Sequence, residues 1–157
     1  EISDKPRGGM VRTFIEAELR AMSLFQGVAP GVFALMVPLF DILESDERNL
    51  TVLKQGEMPD AFYILAKGTV VVEVDARKVI ATLEGLNPED LLNSYPFFGE
   101  MGLLNDVPAS ATVRAVTPCK LLLVPKQRFA RLLHLVPDFE ERVKNMAKAR
   151  KEADEHR

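Results

Sequence analysis

Between residues 49 and 125 the chain is a succession of short β-branched and aromatic runs cut by glycine and proline, and this punctuation restricts the fold more than any other feature. Leu50-Thr51-Val52-Leu53 leads into a turn at Lys54-Gln55-Gly56-Glu57. Ala61-Phe62-Tyr63-Ile64-Leu65-Ala66 reaches a turn at Lys67-Gly68, and Thr69-Val70-Val71-Val72-Glu73-Val74 reaches another at Asp75-Ala76-Arg77. Lys78 to Leu83 follows, and two later runs, Ser110 to Val116 and Lys120 to Val124, are divided by Thr117-Pro118. Such a rhythm predicts an antiparallel roll or sandwich of the jelly-roll kind and excludes one long Rossmann-type alternation.

The flanks keep a different period. Phe14, Ile15, Leu19, Met22 and Phe25 fall on one helical face before Gly27, Pro30 and Gly31 break it. A second apolar stretch, Val32 to Leu43, ends in the charged run 44–48. After Pro125, Phe129, Leu132, Leu133 and Val136 form an apolar stripe that Phe139, Val143 and Met146 continue beyond Pro137. The expected organisation is a mainly β fold in three parts: an N-terminal helical segment (1–48), a β-roll (49–125) and C-terminal helices (126–157). Within the roll, Glu84 to Pro96 interrupts the strand rhythm, with a brief helical start at Pro88-Glu89-Asp90-Leu91-Leu92.

Composition removes several function classes. The 157 residues are 47% apolar, enough for a packed core, and the formal net charge of -3 offers no basic excess for nucleic acid. The longest apolar run, Val28 to Phe40, is broken by Pro30, Gly31 and Pro38 and falls short of the roughly 20 residues a spanning helix needs. Cys119 stands alone, so no internal disulfide forms and a reducing, cytoplasmic setting is expected, including as a soluble domain of a membrane protein. His134 and His156 lack partners at metal-ligand spacing, and Cys119 has no evident general base, so neither a metal site nor an enzyme is expected. The chain opens at Glu1-Ile2-Ser3 without an initiator Met and reads as a segment of something longer.

The most informative segment is Phe97-Phe98-Gly99-Glu100-Met101-Gly102-Leu103-Leu104, followed by Pro108 and Ala111-Thr112-Val113-Arg114-Ala115. Gly99 permits a tight backbone approach, and Glu100 opens a short helical turn whose free amides at Met101, Gly102 and Leu103 can face an anion. Glu100 cannot neutralise a phosphate and is suited to accepting hydrogen bonds from sugar hydroxyls.

This segment resembles the cassette of the cyclic-nucleotide-binding domain family, roughly Phe-Gly-Glu-Leu-Ala-Leu-Leu and then Pro-Arg-Ala-Ala-Thr-Val. Here it stands as FGEMGLLNDVPASATV, residues 98–113, inside a cassette region of 97–113. A second block, LKQGEMPDAFYILAKGTVVV at 53–72, keeps Gly56, Asp60, Tyr63 and Gly68, and a weaker match lies in LLLV and KQRFARLL. The resemblance covers about residues 19–147. It implies a β-roll, a ligand of the cAMP or cGMP type, and a binding set of Gly99, Glu100, Met101, Gly102, Ala109, Ser110 and Ala111. Within that set, Glu100 would take the ribose 2'-hydroxyl, and the backbone at Met101 and Gly102 the cyclic phosphate. Val143 and Met146 would serve as a lid over the base.

One departure matters most: the family's phosphate-neutralising arginine is Ala109 in this chain. A hydrogen bond to a charged partner contributes roughly 1.5 to 3 kcal/mol, so its loss is expected to weaken binding by roughly tenfold to a few hundredfold. Ser110 remains a phosphate donor, with its hydroxyl and N–H. Arg114 lies on the order of 13 Å further along an extended strand and is no simple replacement.

The expectation is therefore a non-enzymatic regulatory module of a larger protein, with weak or absent cAMP and cGMP binding. Its partners would be covalently attached effector domains such as a channel, kinase, exchange factor or transcription module. Two alternatives are a ligand-independent interaction domain working through the 84–96 loop or the C-terminal helix, and a functional sensor using Ser110 and backbone amides. No cofactor, direct nucleic-acid contact or membrane insertion by this segment is expected.

Overall fold

The computed structural model describes residues 4–47, 49–75, 78–85 and 96–146. The chain begins with α1 (Asp4–Ala21), a 3-10 turn at Ser23–Phe25, α2 (Pro30–Met36) and a second 3-10 turn at Val37–Leu39. Of the apolar face expected as one helix, Ile15 and Leu19 are buried on α1 and Phe14 is partly buried, but the helix ends at Ala21, so Met22 and Phe25 are buried in and beside the following 3-10 turn.

Two four-stranded antiparallel sheets follow. The first has the order β1 (Asp41–Ser45), β8 (Cys119–Pro125), β3 (Ala61–Lys67), β6 (Phe97–Phe98). The second runs β2 (Thr51–Leu53), β7 (Thr112–Ala115), β4 (Thr69–Val74), β5 (Lys78–Glu84). Between β6 and β7 lies α3 (Glu100–Asn105), and α4 (Lys126–Leu135) follows β8. A last helix, α5, occupies 139–146 of the described residues. This is the β-roll with flanking helices that the glycine-punctuated runs predict.

The burial of β3 explains why its sequence is apolar without interruption. Phe62 and Ile64 point into a cluster with the helices, while Ala61, Tyr63 and Leu65 point into a second cluster between the sheets. Successive strand residues face opposite sides, so a strand covered on both faces needs apolar residues at every position. Phe62 joins the first sheet to the helices, with ring centroids 5.9 Å from Phe97, 6.1 Å from Phe129 and 5.5 Å from Phe139.

Two boundaries differ from the sequence reading. Asp41–Ser45, expected in the N-terminal helical part, is strand β1, paired in register from Asp41 with Leu123 to Ser45 with Cys119. Pro38 breaks the preceding helix, and the edge of β8 supplies ladder partners that no local pattern reveals. The turn at Gly68 also does more than reverse the chain: it passes it from the first sheet to the second. Gly68 has φ 99°, and a Cβ there would meet the Pro118 carbonyl and the Cys119 sulfur. The interior of the 84–96 loop and the tail beyond Met146 lie outside the described residues.

Candidate functional site

The site grows from β6. Phe97 and Phe98 pair with Ile64 and Tyr63 of β3, and the Phe98 ring stacks on Tyr63 at 5.5 Å. Gly99 then turns the chain with φ 89°, a conformation that disfavours side chains, and an added Cβ would also press on the Ala61 carbonyl. α3 starts immediately after. The Leu103 N–H reaches back to the Gly99 carbonyl at 3.4 Å, which leaves the amides of Met101 and Gly102 ahead of that first bond. Asp106, at φ 55°, ends the helix.

The two glycine-punctuated blocks meet here. Gly56 donates its N–H to the Ala109 carbonyl at 2.9 Å, and Ala109 donates to the Glu57 carbonyl at 2.9 Å. One residue earlier, the Gln55 N–H donates to Thr112 Oγ1 at 3.0 Å. This ladder fixes the loop after α3 against the turn after β2.

Together these segments line a half-open cavity of about 420 Å³, within the usual range for small-molecule sites. Gly99, Glu100, Met101 and Gly102 line it from α3, and Ala109, Ser110 and Ala111 line it from the following loop. All seven residues expected from the cassette thus share one cavity. Glu100 is buried, at 8% exposed, whereas Ser110 is exposed. The opposite walls are apolar: Leu53, Val72, Leu83 and Val113 from the second sheet, with Pro59 and Phe97. These wall residues were absent from the sequence-derived set. Their period-two position in the β runs was the available signal, but only strand pairing identifies which face looks onto the cavity.

The expected lid residues lie elsewhere. Val143 is fully buried, and Met146 packs beside it, in the cluster that joins the helices to the first sheet. Neither lines the cavity. Their apolar stripe is taken up by Phe25, Phe62 and Phe129, whose rings surround Phe139 on the same helix.

Arg114 is committed as well. It forms an ion pair with buried Glu73 at 2.7 Å, donates to Asn49 Oδ1 at 2.6 Å, and lines a separate groove with Gln55 and Thr112. The hydrogen bond to Glu73 raises the Arg114 pKa further. Beneath the site, burial and then neighbouring Asp60 push the Tyr63 phenol up to about 12, and its hydroxyl donates to Asp60 Oδ1 at 3.1 Å. Burial also raises the Cys119 thiol, which suits packing rather than nucleophilic chemistry. Among the described residues no group of three or more His, Cys, Asp or Glu side chains is placed to hold a metal ion.

A family model described as the cyclic nucleotide-binding domain matches residues 44–135, from β1 through α4. The chain belongs to the cyclic nucleotide-binding domain family. A cAMP-dependent protein kinase regulatory subunit of Aspergillus fumigatus is 32% identical over 137 residues, covering 87% of this chain and 31% of the relative. Another, of Yarrowia lipolytica, is 35% identical over 121 residues, 68% of this chain and 30% of the relative. The chain thus spans about a third of the length of these curated relatives. Among solved structures, Sp-2Cl-cAMPS bound to PKAR CBD2 superposes with a TM-score of 0.70 at 26% identity, covering 93% of each chain. This cyclic nucleotide-binding domain therefore has a homologous fold along nearly all its length, and its cavity is built by the cassette that gives the family its resemblance.

Proposed function

We propose that this domain is a non-catalytic regulatory module of a larger protein whose cavity binds cAMP and cGMP weakly or not at all. The observation that carries this reading is the charge of the cavity: among the described residues its lining includes one carboxyl, Glu100, and no Lys, Arg or His. Bringing a phosphate anion into a largely apolar site without a cation leaves its desolvation uncompensated. At the position of the family arginine stands Ala109, while Arg114 is held by Glu73. The adjacent 84–96 segment contains Glu84, Glu89 and Asp90 and no basic residue, so its composition adds no counter-charge.

A ligand-responsive role is favoured over a purely structural interaction domain because the side chains of the described residues leave the cavity open. Regulation would act on attached domains, through ligand-dependent placement of α5 and the residues beyond it; such a shift requires the ligand to prefer one helix arrangement. The likeness to kinase regulatory subunits supports an intracellular signalling setting. Among the described residues no helix is long and apolar enough to cross a membrane. Isothermal titration with cAMP and with cGMP tests the reading: weak or undetectable binding is expected, and sub-micromolar affinity for either would contradict it.

A further inference from the structure

We draw no further inference here: the strongest candidate, the polar groove on the second sheet lined by Arg114, Glu73, Gln55 and Asp75, has Arg114 bonded to Glu73 and Gln55 bonded to Asp75, and nothing in the structure shows what covers it.

Discussion

Ala109 and Glu57 are joined through their backbones, the Ala109 N–H donating to the Glu57 carbonyl at 2.9 Å while Gly56 donates back to the Ala109 carbonyl. The loop after α3 is therefore positioned by main-chain groups, and the side chain at 109 is free to vary. Ala109→Arg is expected to unfold in urea within about 0.5 kcal/mol of the native chain, as surface-directed substitutions do. Ala109→Pro, which deletes the donated N–H, should lose about 1 kcal/mol or more. Equal loss in both variants would show that the side chain, not the ladder, sets the loop.

Gly102 and Pro59 are packed so closely that a Cβ on Gly102 would run into the proline ring, with the Val107 carbonyl 3.0 Å away. Gly102→Ala should destabilise by about 1–3 kcal/mol through overpacking. Combining it with Pro59→Ala should recover part of that loss, since neighbours in contact are not additive. Additive losses in denaturant melts would mean that the two residues do not share the space.

Much of this site is legible in the sequence because its determinants are local. Gly56 and Gly99 sit at positive φ, a requirement that few residues besides glycine meet cheaply, so the punctuation reports the turns directly. Glu100 follows from its place at the head of α3. What stayed hidden depends on long-range pairing. Leu83 and Val113 become cavity walls only because β4 joins β5 to β7 in one sheet. Asp41–Ser45 becomes a strand only because β8 offers an edge. Val143 reads as a lid because an apolar stripe does not name its partner, and the Arg114 ion pair is hidden because Glu73 is 41 residues away.

Tyr63 ties the floor of the site to Asp60, and its phenol is pushed up to about 12 by burial and then by that carboxyl. The folded state thus keeps a proton that the unfolded chain releases near pH 10. The resulting stability is complete below about pH 10 and is lost as pH rises toward 12. Phenolate absorbance should show one tyrosine ionising only at that higher pH. Asp60→Asn should bring this ionisation down part of the way, leaving the larger share due to burial. A normal phenol in the native chain would contradict the packing described.

Arg142 anchors the last helix. Its guanidinium donates to the Leu24 carbonyl at 3.0 Å and the Gln26 carbonyl at 2.8 Å, and its Nε bonds Asp138 at 2.9 Å. That contact lowers the Asp138 pKa. Arg142→Ala should speed amide exchange across α5 while β3 and β8 keep their protection, because the helix would open as a local unit. Arg142→Lys should restore little, since one ammonium cannot reproduce the planar fork. Unchanged exchange in α5 would mean that Phe139 and Val143 alone hold it.

The central claim is that the cavity keeps its shape and its sugar acceptor but lacks a phosphate cation. Calorimetric titration of cAMP against the native chain and Ala109→Arg tests it most directly. The account predicts weak or undetectable binding by the native chain and a gain of roughly tenfold to a few hundredfold in the variant. Sub-micromolar binding by the native chain, or no gain in the variant, would contradict it.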